Sequence, residues 1–170
     1  MIFYPNLLRE NLISVTKEDL LSLGVKVICI DADNTSVIDA TDELLSGVKP
    51  WCELRQAQGF EVVLISNGGS ERIEKIANKL ELDYRPYALK PLPFSFFQQA
   101  NFRKCKTSEI LMIGDRIFTD ILGANLAGCK SIFVKPYQAE KRKLFLIKTQ
   151  RKLEERILAK YKQNKRWIKW

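Results

Sequence analysis

The chain predicts an α/β fold, a mostly parallel sheet with helices on both faces, and three observations carry that expectation. Short apolar runs recur at 25–30 (VKVICI), 61–65 (EVVLI), 109–113 (EILMI) and 130–134 (KSIFV). The segments between them place apolar residues at helical spacing. Most of the runs are continuous rather than alternating, as in strands buried on both faces of a parallel sheet. With 170 residues, 46% of them hydrophobic, the chain is long enough to bury one substantial core.

In chain order, Thr16 with Asp19 three positions on forms a capping-box pattern that opens a short helix through Leu20, Leu21 and Leu23, stopped by Gly24. The first strong strand follows. Residues 44–58 suit a helix ended by Gly59, and the second strand runs into Ser66 and Asn67. Ser70 is placed to cap a helix with Ile73, Ile76, Ala77 and Leu80 on one face. DYRPYA reads as a short extended piece before Lys90 and Pro91, and residues 93–102 as a helix with an aromatic cluster. The third strand ends in Gly114 and Asp115, residues 119–127 form a helix closed by Gly128, and a fourth strand follows. From 139 onward the chain reads as one long basic helix. The expected organisation is a domain at 1–138, N-terminal helix included, with a basic helical extension at 139–170.

Composition removes several chemistries. The chain has no histidine, which excludes Ser/His/Asp triads, histidine nucleophiles and HExxH metal sites. The four cysteines, Cys29, Cys52, Cys105 and Cys129, are scattered without a CxxC pair, so they read as reduced structural thiols. No apolar run approaches the roughly 20 residues of a membrane span. The start, MIFYPNLLRE, lacks the basic and apolar regions of a signal peptide, so a cytoplasmic location is expected.

In parallel sheets the functional crevice lies beyond the carboxyl ends of the strands. Asp31, Asp33, Thr35, Ser66, Asn67, Asp115 and Asp120 all fall at or just past such ends, with Lys90 in a connecting loop. Aspartate at a strand tip can cap a helix, bind a metal or act as the nucleophile of phosphoryl transfer. Asp33, two positions on in an extended segment, shares a face with Asp31 and is placed to act as acid and base. Two such acids 4 Å apart repel by about 4 kcal/mol at an effective dielectric of 20. A cation must therefore sit among them, and with oxygen ligands alone Mg²⁺ is the natural ion. Lys90 adds a second positive charge; Thr35 and Ser66 offer hydroxyls to phosphate oxygens. Taken singly, each piece has a plainer reading: DNT as a turn, Ser66 with Asn67 as a loop start, Lys90 as a surface lysine, GDRIFTD as a turn with a helix cap.

In order, DADNT, ISN, LKP and IGDRIFTD resemble the four motifs of the haloacid dehalogenase (HAD) superfamily of phosphohydrolases, most nearly its compact subclass IIIA, the YqeG-like phosphatases. The resemblance implies a three-layer, Rossmann-like domain. It also implies Asp31 as nucleophile, Asp33 as acid/base and a metal contact, Thr35, Ser66 and Asn67 at the substrate phosphate, and Lys90 as the neutralising cation. Asp31, Asp33, Asp115 and Asp120 would surround Mg²⁺, Asp120 either directly or by orienting Lys90. Where relatives commonly carry leucine after the threonine, this chain has Ser36.

The gaps between Thr35 and Ser66, and between Ser66 and Lys90, hold only the elements named above, so no cap domain fits and the site should be open. An open site favours a phosphomonoester presented on something large. Residues 140–170 carry twelve Lys and Arg against three Glu, more than the whole net charge of +8, so the rest of the chain is near neutral. With Leu146, Leu153 and Ile157 near helical spacing and the ending KRWIKW, this tail suits an anionic membrane surface. A helix packed on the sheet, or contact with RNA or the ribosome, would use the same residues. Some relatives in this branch are phosphatidylglycerophosphate phosphatases. The expectation is thus an Mg²⁺-dependent phosphatase of a lipid headgroup, peripheral on the membrane, with a phosphatase of a soluble phosphomonoester or a non-enzymatic RNA-associated module as alternatives. If Asp33 is the acid/base, Asp33→Asn should cut turnover severely and let a phosphoenzyme accumulate, which acid-quenched labelling with a ³²P-substrate would detect.

Overall fold

Each apolar run has two faces to bury, because successive side chains of a strand point to opposite sides of the sheet. The computed structural model describes residues 2–138 and 145–164; residues 1, 139–144 and the KRWIKW at 165–170 lie outside them, as do the side chains of residues 145–148, Leu146 included, and of residue 164. Strands β1 (Leu7–Arg9), β2 (Val27–Ile30), β3 (Glu61–Ile65), β4 (Asp83–Arg85), β5 (Ile110–Gly114) and β6 (Lys130–Val134) form one sheet in the order β1-β6-β5-β2-β3-β4. All its pairings are parallel.

Among the described residues six helices surround the sheet: α1 (Lys17–Leu23), α2 (Val48–Ala57), α3 (Ser70–Leu80), α4 (Phe94–Phe102), α5 (Leu122–Leu126) and α6 (Phe145–Asn164). Ile28, Ile30, Val62, Leu64, Leu111 and Ile113 point to one face, against Leu20, Trp51, Ile73, Ile76 and Leu80 of α1 to α3. Val27, Cys29, Val63, Ile65, Ile110 and Met112 point to the other, against Phe96 of α4 and Ala124 of α5. The result is three layers, and no inserted domain interrupts the described residues between β2 and α4. The chain leaves β2 toward β3 and β4, then crosses back to β5 on the other side of β2. That reversal opens a crevice between the carboxyl ends of β2 and β5.

Local chemistry explains the element ends. Thr16 caps α1 by accepting the Asp19 N–H (3.3 Å) while the Asp19 carboxylate accepts the Thr16 N–H (3.0 Å), and Gly24 closes the helix with φ +66°. Several expectations need correction. Helix α2 begins at Val48 rather than at 44: Leu44 bridges Val37 in a short flap, Gly47 turns the chain with φ +81°, and Pro50 is tolerated in the first turn. Gly69, not Ser70, occupies the cap position of α3, and no side-chain cap bond forms there. The helix expected at 119–127 is a π-helical turn, Ile117–Ile121, running into the short α5. Edge strand β1, unrecognised in the sequence, is only three residues long. The four cysteines are free, and burial pushes the Cys52 and Cys129 thiols up to about 12, as suits structural thiols.

The basic helix α6 lies on the domain. Tyr161 is buried with Leu8, Ile117, Ile121 and Phe133, and its ring meets Tyr4 edge-on at 5.2 Å. The packed stripe is Glu154, Ile157, Leu158 and Tyr161, whereas Leu153 is exposed. Among the described residues no helix is long and apolar enough to cross a membrane.

Asp19 also pairs with Arg9; although burial pushes its carboxyl up, this pair and the Thr16 N–H hold it below the ordinary 3.8. The stabilisation it contributes is complete above that value and lost as pH falls below it. Asp19→Ala should cost about 1 kcal/mol in urea unfolding at neutral pH, with the difference from wild type shrinking as the acidic range below 3.8 is entered.

Candidate active site

Asp31 follows β2 with the parity of Val27 and Cys29, so it emerges toward α4 and α5, the side that supplies its partners. Lys90, 59 residues on, places Nζ 2.7 Å from Asp31 Oδ1 and 2.6 Å from Asp120 Oδ1, and donates to the Ile65 carbonyl at 3.1 Å. All three charged groups are buried. Asp115, at the tip of β5, completes a carboxylate triad: one oxygen each from Asp31, Asp115 and Asp120 lies within 4.8 Å of the others. An all-oxygen set of three acids fits a hard divalent cation.

Burial sets the electrostatics. It pushes the Asp31 carboxyl up to about 6, against the pull of Lys90 and with the help of Asp120. Asp115 is pushed up to about 8 by burial, opposed by Arg151 and reinforced by Asp31 and Asp120. Burial would lower Lys90, but Asp120 and Asp31 outweigh it and hold the ammonium charged well above its ordinary range.

Small features of the backbone make this concentration of charge possible. A Cβ at Gly114 would overlap the Asp120 carboxylate, so glycine is required where that acid crosses the tip of β5. The other Asp120 oxygen accepts the Arg116 N–H (3.1 Å). Asp120 therefore orients Lys90 and also belongs to the triad. Asn67 lines the crevice, and its amide donates to the Lys90 carbonyl and accepts the Lys90 N–H, both at 2.8 Å, clamping the lysine loop. Ser66 is buried at the end of β3, accepts the Gly68 N–H and lines the crevice. Ser36 donates to the Asp31 carbonyl at 2.6 Å, so a hydroxyl at this buried position has its own partner.

Two expected residues sit differently from the sequence reading. The Asp33 carboxylate lines the crevice but turns from the triad, held by two 2.8 Å bonds from Arg72 and by the Ala40 N–H. Thr35 lines an adjacent crevice with Glu10, Leu45 and Lys135, where its buried Oγ1 has no hydrogen bond among the described residues. It is therefore placed apart from the acid crevice, which measures about 280 Å³ and is lined by Asp31, Asp33, Ser66, Lys90, Asp115 and Arg151 among others.

Arg72 and Arg151 were missed in the sequence. Arg151, on α6, donates to the Asp115 carboxylate and to its carbonyl (2.6 Å), and also to Glu154 (3.2 Å). Glu154 in turn accepts the Phe118 N–H at 3.1 Å. The one available signal was the basic content of the tail, which gave no register toward Asp115.

Comparisons with known proteins agree with this geometry. A family model described as HAD-hydrolase-like matches residues 87–145. The chain is 30% identical over 172 residues to the probable phosphatase YqeG of Bacillus subtilis, spanning 99% of this chain and 96% of that protein. It is 26% identical to the chloroplastic/mitochondrial phosphatidylglycerophosphate phosphatase 1 of Arabidopsis thaliana, over 97% of this chain and 48% of the plant protein. The fold matches an uncharacterized protein from Listeria monocytogenes with a TM-score of 0.55 at 18% identity, covering 71% of this chain and 85% of the other.

Removing Arg151 would leave the buried Asp115 carboxylate without its guanidinium and Glu154 with Arg116 alone. Arg151→Ala should cost roughly 2–4 kcal/mol in denaturant unfolding with EDTA present, and Arg151→Lys should recover only part, because one ammonium cannot match a two-pronged guanidinium. A loss below about 0.5 kcal/mol would mean that the α6 contact contributes no more than an exposed pair.

Proposed function

This chain belongs to the YqeG-like phosphatases of the haloacid dehalogenase superfamily, and from that premise we propose that it hydrolyses a lipid-borne phosphomonoester, phosphatidylglycerophosphate, through an aspartyl-phosphate on Asp31 with Mg²⁺ as cofactor. The observation that carries the chemistry is the buried Asp31 carboxylate bridged by Lys90 to Asp120 and facing Asp115. Asp31, Asp115 and Asp120 would hold the cation, which when bound supplies positive charge for the transferring phosphoryl oxygens.

An Asp31 oxygen attacks phosphorus, and the bond from phosphorus to the ester oxygen breaks. Asp33 gives its proton to the departing alcohol, which requires its carboxylate to leave Arg72 and turn to the crevice it lines. Lys90 keeps the attacking carboxylate ionised despite burial and offsets phosphoryl charge. Ser66 offers its hydroxyl to a phosphate oxygen. In the second half, Asp33 takes a proton from water as it attacks phosphorus, the acyl-phosphate bond breaks, and free phosphate leaves with Asp31 restored.

The lipid substrate is supported by the name of the plant relative and by a crevice that stands open where other enzymes carry a lid domain. The basic face of α6, with Lys152, Arg156, Lys160 and Lys162 exposed, suits an anionic surface. Asp31→Asn should abolish phosphate release from phosphatidylglycerophosphate in mixed micelles while leaving the fold intact, and EDTA should silence the wild type until Mg²⁺ is restored. Turnover confined to soluble phosphomonoesters would keep the chemistry and remove the lipid; residual turnover near wild type in Asp31→Asn would remove the aspartyl-phosphate.

A further inference from the structure

The loop that delivers Lys90 carries an unusual outer surface. Within residues 87–97, Tyr87, Leu89, Leu92, Phe94 and Phe97 are 60%, 62%, 48%, 60% and 45% exposed. Single exposed apolar residues are ordinary, but five large ones in eleven positions form a patch of the kind that marks an interaction surface. They are held together: the Leu92 N–H donates to the Leu89 carbonyl at 2.9 Å, and Phe94 and Phe97 lie one turn apart on α4. Tyr87 and Leu89 have φ of +47° and +56°, a backbone region that bulky side chains seldom adopt. That alternation keeps Ala88 and Lys90 buried while Tyr87 and Leu89 point outward.

Position and charge indicate the occupant. Leu89 and Leu92 belong to the loop whose Lys90 ammonium touches Asp31, and the Tyr87 N–H donates to the carbonyl of Gly68, which lines the crevice, so the patch lies on the same end of the sheet as the crevice. Within this stretch Lys90 is paired with Asp31 and Asp120 and Arg103 with Glu61 and Asp83, and Lys104 and Lys106 precede the amino end of β5, so the exposed basic charge is that of α6, where Lys152 and Arg156 are exposed. On the other flank of the crevice is α6, whose Arg151 reaches Asp115. The crevice, about 280 Å³, falls at the low end of small-ligand sites and is lined by charged and polar groups, so it has room for a headgroup and not for acyl chains.

We propose that the patch formed by Tyr87, Leu89, Leu92, Phe94 and Phe97 seats the protein at the headgroup–acyl boundary of an anionic bilayer, so that a lipid's phosphomonoester enters the crevice while its acyl chains stay in the membrane. This rests on the lipid reading above. Aromatic and leucine side chains on one side of the crevice and the cations of α6 on the other suit that boundary, and the open crevice needs a surface to exclude water during transfer.

The test compares wild type with Leu89→Ser/Phe94→Ser. Cosedimentation uses vesicles of phosphatidylcholine alone and of phosphatidylcholine with phosphatidylglycerol; turnover is measured on p-nitrophenyl phosphate and on phosphatidylglycerophosphate in the mixed vesicles. Taking two large side chains out of the bilayer should weaken vesicle binding about tenfold or more, lower vesicle-borne turnover in step, and leave p-nitrophenyl phosphate turnover within about twofold. Equal vesicle binding by both proteins overturns the proposal, as does a wild type that binds no vesicle. Patch-dependent binding without hydrolysis of the lipid supports the docking surface and removes the lipid-substrate reading instead. Should the double variant fail on the soluble ester, Phe94→Trp decides at an exposed position. Quenching by brominated lipids beyond that of the native tryptophans supports the proposal, and none overturns it. A wild-type dimer that the double variant dissociates, seen by sedimentation velocity, assigns the patch to a second copy and overturns it.

Discussion

The structure turns on the burial of three carboxylates, Asp31, Asp115 and Asp120, around one lysine. Acids this close repel one another, and burial removes the water that would screen them. The fold answers with a lysine whose ammonium touches two of the three, and with a guanidinium on the third. Neither compensates fully, since Asp31 and Asp115 both remain above the ordinary carboxylate range. That residual excess of negative charge is what a divalent cation would relieve.

Holding this arrangement imposes demands on residues with no chemistry of their own. Gly114 is bare so that Asp120 can cross the tip of β5. Asn67 spends both ends of its amide on the backbone of Lys90, so the lysine is fixed by its main chain as well as by its ion pairs. The reversal of strand order at β2 and β5 brings Asp31 and Asp115 to adjacent tips. Helix α6, nominally an appendage, reaches into the same network through Arg151 and Glu154. A helix that contributes to the charge balance of the crevice cannot shift without disturbing the acids.

Much of the fold was legible because its strongest signals are local. The four principal strands, the Thr16 capping box and the αL glycine closing α1 depend on residues within one turn or one strand of each other. The errors share a cause as well. Leu44 and Leu45 fit a helical pattern, but Gly47 and the bridge to Val37 put them in a flap that packs on the core. Strand β1 exists because β6 offers an edge, a fact that three residues cannot announce. Of the expected tail stripe Ile157 packs on the domain, but Leu153 gives way to Glu154, a charged residue buried by the Phe118 N–H and two arginines against its ordinary preference.

By itself the sequence determined where the acids stand. Asp31 and Asp115 each follow an apolar run that has to be a buried strand, and four motifs in a fixed order tie those strand ends to one kind of chemistry. Only the tertiary structure decided what each side chain touches. Arg72 lies 39 residues from Asp33, and Arg151 lies 36 from Asp115. It turned Asp33 toward Arg72, moved Thr35 to a neighbouring crevice and brought α6 to the site. The outward-facing apolar surface beside Lys90 also became visible only there. The physical reason is that periodicity reports which face of an element is buried, whereas partners are chosen by how the elements pack, and a chain pattern with a range of a few residues carries no record of that choice.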